Sequence, residues 1–230
     1  MLDWNPQPPY TAEQLLQVIR ILRDPENGCP WDKVQTHASI RKNFLEETCE
    51  VLEAIDADDP AMLREELGDV LMQVAFHTCM EQETGRFTWE QVCDGVCQKL
   101  IERHPNIFGT QPGYEGITDW DALKNKEKGR RTLADDLESV PRAMPALMRA
   151  AKLQKRAARH GAALQGADAA ALADAAENLQ TAQPASAQAE QAVGELLFAA
   201  ANLARQAGVD PEQALQKANE AFCTAAGPVA

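Results

Sequence analysis

Two acidic clusters, each spaced for one face of a helix, constrain this chain more than anything else in it. They are Glu46-Glu47-Thr48-Cys49-Glu50 and, sixteen residues beyond Glu50, Glu66-Leu67-Gly68-Asp69. Residues three apart on a helix share a face, so Glu47 projects with Glu50, and Glu66 with Asp69. The second pair opens the run Leu67-Gly68-Asp69-Val70-Leu71-Met72-Gln73-Val74-Ala75-Phe76, which is too apolar for a solvated surface stripe. Like charges gathered at reduced solvation cannot all ionise cheaply unless a cation neutralises them. The pattern therefore predicts two neighbouring antiparallel helices whose acids form an all-oxygen metal site. Glu47, Glu50, Glu66 and Asp69 are the ligands, and the donor set suits Mg²⁺, with Mn²⁺ as a substitute.

The rest of the first half reads as helices of the same bundle. Thr11-Ala12-Glu13-Gln14 is a capping box opening a helix with Leu15, Ile19 and Leu22 on its apolar side. Arg23-Asp24-Pro25-Glu26-Asn27-Gly28-Cys29-Pro30 breaks it with two prolines and a glycine, the signature of an ordered loop. A second helix is expected from about Ser39 to Ile55, turning Phe44, Leu45, Val51, Leu52 and Ile55 toward a core. Asp59-Pro60 supplies an N-cap and first-turn proline for a third helix reaching roughly Glu81. Thr88-Trp89-Glu90-Gln91 caps a fourth that ends before His104-Pro105. No sustained strand alternation interrupts residues 11–104, so the fold class is all-α, an antiparallel four-helix type of bundle.

Beyond residue 105 a Gly- and Pro-containing segment to Ile117 reads as a loop, followed by the basic stretch Lys124, Lys126, Lys128, Arg130 and Arg131. Pro141 and Pro145 introduce a helix with Leu147, Met148 and Leu153 on its apolar face. Gln180 to Gln191 is a polar stretch expected to be loosely ordered. Helical patterning resumes at Gly194 and again from Pro211. An internal echo links the two halves. Gly68-Asp69-Val70-Leu71-Met72-Gln73-Val74-Ala75 resembles Gly194-Glu195-Leu196-Leu197-Phe198-Ala199-Ala200-Ala201, and Asp174 and Glu177 precede the second copy as Glu47 and Glu50 precede the first. Ala192 stands where the first copy has Glu66. The expectation is two domains, a catalytic one over 1–135 and a degenerate, structural one over 136–230.

Charge narrows the function classes. A net charge of −13 argues against binding a nucleic-acid polymer, which needs a basic face. No apolar run approaches membrane length, and Met1-Leu2-Asp3-Trp4-Asn5-Pro6 carries neither a basic segment nor an apolar core. The six cysteines show no metal-ligand spacing and sit largely in helical patterns, where free cysteine acts as a small hydrophobe. A cytoplasmic protein with no membrane partner is expected.

Arg23 to Asp32, the EExxE and ExxD acids, Arg103-His104-Pro105-Asn106-Ile107-Phe108, Pro145 to Ala150 and Ala214 to Glu220 together resemble the MazG family of nucleoside triphosphate pyrophosphohydrolases. The resemblance spans nearly the whole chain. It implies tandem all-α MazG-like domains, tight homodimers and Mg²⁺-dependent hydrolysis of NTP or dNTP to the monophosphate and pyrophosphate. It places the metal on Glu47, Glu50, Glu66 and Asp69, and matches Lys99 and Arg103 to the family's K-x-x-x-R phosphate contacts. In the second half, Ala221 and Ala225 stand where those cations belong.

Further candidates come from residue chemistry. Glu46 is left over as a general base, although Glu47 can exchange roles with it. Trp31 is a candidate base-stacking residue and equally a packing anchor. Gln35 and His37 are candidates for a substrate edge, and Lys124 is a candidate phosphate contact or a solvated lysine. Against catalysis stand two alternatives, a nucleotide- or metal-binding regulator and a helical dimer scaffold.

Overall fold

A computed structural model of the chain describes residues 6–105, 107–109, 123, 125 and 127–227. The chain divides into two compact units, Met1–Ile117 and Thr118–Ala230, so the expected boundary at 135 falls inside the second. Among the described residues there is no strand, and the fold is all-α. No helix among them is long and apolar enough to cross a membrane.

The first unit holds α1 (Ala12–Leu22), α2 (Arg41–Asp56), α3 (Pro60–Glu83) and α4 (Trp89–Arg103). Its helix starts follow the local chemistry. Thr11 and Gln14 form one reciprocal capping box and Thr88 and Gln91 another, while Asp59 Oδ1 accepts from the amides of Ala61 and Met62 ahead of a first-turn proline. α3 is the spine, with α1, α2 and α4 each packed against it. The core gathers under its C-terminal half. Leu16 and Ile19 of α1, Ile40, Trp89 of α4, and Ala75, Phe76, Cys79 and Met80 of α3 close around one another. Burial pushes the Cys79 thiol up to about 11, which makes it an inert core atom. Cys49, Cys93 and Cys97, expected to act as small hydrophobes in their helices, are exposed, as is Cys223.

α2 departs from expectation on its apolar side. Leu45, Leu52 and Ile55 are each more than half exposed, whereas Ala54 is buried and Phe44 and Val51 are half-buried. The period of apolar residues is right for a helix, but α2 packs chiefly against α3, and one main neighbour covers only part of its circumference. Leu67 and Leu71 on α3 are exposed too, so the N-terminal half of α3 is not the buried helix its composition suggested.

Between α1 and α2 the chain folds into an anchored loop. The Asp24 carboxylate accepts from the amides of Glu26 and Asn27, which holds its pKa below the usual carboxylate value, and the amides of Gly28 and Cys29 return to the carbonyls of Asp24 and Leu22. Arg23 ties this loop down. Its guanidinium grips Glu83 at 2.6 and 2.7 Å, donates to the carbonyls of Asp32 and Gln35, and lies over the Phe76 ring.

The second unit holds α5 (Leu133–Glu138), α6 (Ala146–Arg159), α7 (Ala169–Thr181), α8 (Ala187–Gln206) and α9 (Pro211–Ala226). Its buried residues are mostly alanines, and polar bonds fix the helices. Buried Asp136 pairs with Arg156 at 2.9 Å, Gln154 donates to the Phe198 carbonyl, and Asn202 donates to that of Ala167. α6 thus turns Gln154, Arg156 and Ala157 inward, while Met148 is exposed. The polar stretch 180–191 is not loosely ordered. Only residues 182–186 separate α7 from α8, because Ser186 caps α8 and its flanking alanines favour helix.

A Cβ on Gly28 would fall against the carbonyl oxygens of Asp24 and Leu22, 2.5 Å from the latter. Backbone cannot yield as a flexible side chain does, so Gly28→Ala should destabilise the protein by about 1–3 kcal/mol, read from urea unfolding. An unchanged midpoint would mean that the loop relaxes freely.

Candidate metal centre

The α2–α3 hairpin builds the acidic site. Glu47 and Glu50 lie one turn apart on α2, Glu66 and Asp69 one turn apart on α3, and the short turn at 57–59 folds one helix back along the other. Carboxylate oxygens of Glu47, Glu66 and Asp69 all come within 4.8 Å of one another. Glu50 is not one of these three, but it interacts with the carboxyls of both Glu47 and Glu66. All four are half-buried.

Their electrostatics are those of a site short of positive charge. Burial raises the pKa of Glu47, and the charges of Asp69 and Glu50 raise it further, with the Gln73 side chain opposing. Burial likewise raises Glu66, followed by the charges of Glu50, Asp69 and Glu65. A divalent cation would relieve this repulsion, and carboxylate oxygens alone are the donor set of a hard ion such as Mg²⁺ or Mn²⁺ rather than of a thiolate or imidazole metal. The residues fit such an ion. Among the described residues no second group of three or more acids, histidines or cysteines converges in this way. Asp174, Glu177 and Glu195 are all exposed, and Ala192 is buried.

The other expected residues are spread around the first unit. Glu46 is exposed on α2, about 100° around the helix from Glu47 and one turn before Glu50. α4 meets the core through Trp89 in its first turn. Further along it Lys99 is exposed and Arg103 half-buried, and neither is among the strongest charges acting on Glu47 or Glu66. Trp31 is 56% exposed in the anchored loop. Gln35 and His37 are engaged within the protein. Gln35 donates to the Trp31 carbonyl and accepts from Ser39, while His37 Nδ1 lies 2.7 Å from His77 Nδ1 and its Nε2 2.6 Å from Glu81. The two imidazoles are near-parallel, but 2.7 Å is too short for facing ring surfaces, so they meet edge to edge in one hydrogen bond. Lys124 lies outside the described residues.

One residue of this neighbourhood carried no motif. Gln73, one turn after Asp69, is buried, and its side chain counters the rise in the Glu47 pKa. Its signal is the polar series Asp69, Gln73, His77, Glu81, four apart along an otherwise apolar helix.

Comparison with known proteins agrees with this geometry. Residues 35–108, which contain both acidic pairs, match the model of the MazG nucleotide pyrophosphohydrolase domain. The chain is 43% identical over 219 residues to a nucleoside triphosphate pyrophosphohydrolase of Escherichia coli, an overlap covering 91% of this chain and 83% of that protein. It is 39% identical over 212 residues to the nucleoside triphosphate pyrophosphohydrolase/pyrophosphatase MazG of Thermotoga maritima, covering 91% and 82%. A nucleoside triphosphate pyrophosphohydrolase of Mycobacterium tuberculosis is 36% identical over 154 residues, covering 65% of this chain and 46% of its own length.

The raised carboxyls set the sign of the pH response. A group whose folded pKa exceeds its unfolded value of about 4.3 favours the fold at low pH and loses that contribution as pH rises through the folded value. Mg²⁺ must also displace those protons, so it should raise the melting temperature more at pH 7 than at pH 5. At a hundredfold excess over its dissociation constant the gain is about 2.7 kcal/mol. Glu66→Gln should raise the metal-free melting temperature at pH 7 and lose most of the Mg²⁺ response. Equal Mg²⁺ shifts for this variant and the parent would exclude Glu66 from the site.

Proposed function

The chain belongs to the MazG family of nucleoside triphosphate pyrophosphohydrolases, and on that premise we propose that its first unit hydrolyses NTP or dNTP to the nucleoside monophosphate and pyrophosphate, with Mg²⁺ held by Glu47, Glu50, Glu66 and Asp69. The observation that carries this reading is the gathering of carboxylates from two helices into one half-buried cluster. Mn²⁺ has the same preference for oxygen donors and is a plausible substitute.

When bound, the cation neutralises phosphate oxygens and acidifies a coordinated water, the two obstacles to attack on a polyanion. The chain's own residues do the rest. Glu46, beside the ligands on α2, takes the proton of the water as its oxygen bonds to the α-phosphorus. The bond from the α-phosphorus to the bridging oxygen breaks, and pyrophosphate leaves with that oxygen. Lys99 and Arg103 lie four apart on α4, present their cations to one side, and compensate the charge building on the leaving group. Trp31, exposed on a loop that Arg23 and Asp24 hold rigid, offers a face for the nucleobase. Lys124 is a further phosphate contact.

The working form is a homodimer. Leu45, Leu52, Leu67, Leu71, Val92, Val96 and Leu100 leave apolar area on α2, α3 and α4 uncovered by the chain, more than scattered surface residues account for. Six unpaired cysteines fit the reducing cytoplasm. The second unit is a degenerate copy with a structural role, a reading supported by its exposed acids and by Ala192 at the counterpart of Glu66.

The primary test is pyrophosphate release from purified protein with each NTP and dNTP. Glu50→Ala and Asp69→Ala should each lower turnover by at least about 10²-fold at saturating Mg²⁺, while sedimentation still reports a folded dimer. Near-normal turnover in either would remove that residue from the metal site, and no release from the parent would leave a binding protein.

Glu177→Ala combined with Glu195→Ala should leave turnover within about twofold, since three exposed carboxylates without partner cations cannot orient a triphosphate for in-line attack. Loss of turnover in a folded double variant would move the active site to the second unit.

A further inference from the structure

The second unit gathers positive charge that the proposed reaction does not use. α6, α8 and α9 pack together around a cavity of about 590 Å³, a size that admits a small ligand. Lys152 and Lys155 line it from α6, three apart and so on one face, and Arg205 lines it from the last turn of α8. Asp210 is the one carboxylate in the lining, and its Oδ1 caps α9, accepting from the amides of Glu212 and Gln213 at 3.0 Å. Among the described residues no carboxylate pairs with any of the three cations. The chain has 35 acids against 22 lysines and arginines, so the absence of a partner here is not a shortage of anions.

The first unit shows the ordinary arrangement. Its cavity of about 610 Å³ also collects three cations, but each is occupied: Arg23 grips Glu83, Arg20 donates to Gln82, and Lys33 donates to the Pro25 carbonyl. Asp24 and Glu83 both stand in its wall. In the register that pairs Gly68 with Gly194, Val209 is the counterpart of Glu83 and Arg205 that of Cys79. The second unit therefore lacks the neutralising acid and has a cation more. The carbonyl end of α8 accounts for Arg205, but both lysines precede the last turn of α6, where no such end attracts them.

The cavity is also pre-formed. Asn202 is buried, donates to the Ala167 carbonyl at 2.6 Å and accepts from Arg205 Nε at 3.0 Å, which fixes the base of the guanidinium. Glu212 accepts from the Met148 amide at 3.1 Å and ties the start of α9 to the start of α6. Met148, Val209 and Pro211 give the cavity an apolar wall beside its cations, with Met148 and Val209 exposed. Fixed cations next to apolar surface receive an anionic group joined to a flat, weakly polar one. We propose that this cavity binds a nucleoside monophosphate, with its phosphate on Lys152, Lys155 and Arg205 and its base against Met148 and Val209. With Asp210 present the lining carries two net positive charges, the complement of a phosphate dianion. The site shares no residue with the acidic cluster and does not depend on the metal-site reading.

The test is calorimetric titration of the full-length protein with AMP and with CMP in EDTA, where the acidic cluster repels a phosphate. The parent should bind with a dissociation constant of about 1 mM or tighter. Lys152→Gln combined with Lys155→Gln should weaken binding about 10-fold or more, through the loss of charge-assisted hydrogen bonds. Arginine at both positions keeps the charge and should hold the affinity within about threefold. Lys155→Gln alone, at an exposed position, should show a smaller loss in the same direction and serves if the double variant does not fold. Lys99→Gln with Arg103→Gln should bind as the parent does. Inorganic phosphate should bind more weakly than either nucleotide, because it leaves the apolar wall uncovered. No saturable binding of AMP or CMP by the parent overturns the proposal, and so does parent-like affinity in the folded glutamine variants. A loss confined to the Lys99 and Arg103 variant puts the ligand in the first unit and overturns it too. Phosphate binding as tightly as the nucleotides overturns the assignment of a nucleoside to the apolar wall.

Discussion

Holding several carboxylates against one another on two helices is the constraint to which the rest of the first unit answers. At 4 Å a pair of unit charges repels by about 1 kcal/mol in water and about 4 kcal/mol at the effective dielectric near a protein surface. Something else must hold the helices together. α3 solves this by dividing its length. Its N-terminal half carries Glu66 and Asp69, and its C-terminal half carries Ala75, Phe76, Cys79 and Met80 into the core with α1 and Trp89. Each large apolar side chain taken from water contributes about 1.5–3 kcal/mol, so a few of them outweigh the repulsion at the other end. The acids sit at reduced solvation because a rigid helix anchored elsewhere leaves them nowhere else to go.

The loop between α1 and α2 serves that anchorage. Its Asn-Gly-Cys-Pro-Trp run looks like a binding motif, yet most of its polar groups are spent on its own shape. Asp24 caps the turn, Gly28 lets the backbone pass close to itself, and Arg23 stitches loop carbonyls to Glu83 at the end of α3. The His37–His77 contact adds a second stitch one turn away from Gln73. What the loop leaves free is Trp31. A large aromatic surface on a pre-ordered platform loses little entropy when it meets a ligand, which is the physical advantage of rigid presentation over a mobile one.

Much of this was legible before any coordinates, and the part that was not has one cause. Helix starts were readable because caps are local: Thr11 with Gln14, Asp59 with Pro60 and Thr88 with Gln91 begin α1, α3 and α4 at the expected residues. The acid pairs were readable because i, i+3 spacing fixes a shared face whatever the surroundings. Apolar period, by contrast, says that a helix has a face to bury but not what covers it. Leu45, Leu52 and Ile55 were therefore assigned to a core that the chain does not build around them. The stretch 180–191 misled in the opposite sense, since glutamine and alanine on an exposed helical face have the composition of a loosely ordered segment. Gln73 escaped notice because one amide in an apolar run has no spacing of its own. It acquires meaning only as a member of the polar series 69, 73, 77, 81 along α3.

The second unit supplies a control within the same chain. α7 and α8 pack against each other as α2 and α3 do, around buried Ala175, Ala192, Ala199 and Ala201. There the counterpart of Glu66 is Ala192, the counterpart of Gln73 is Ala199, and the remaining acids are exposed. A helical pair of this design can therefore be built from alanine, with no carboxylate cluster. That pair keeps acids at Asp174 and Glu195, the counterparts of Glu47 and Asp69, but folds without those of Glu66 and Gln73. In the first unit the gathered carboxylates repel one another in the metal-free protein. Carboxylates converging from two helices on one point against that repulsion are the observation on which the proposed metal site rests.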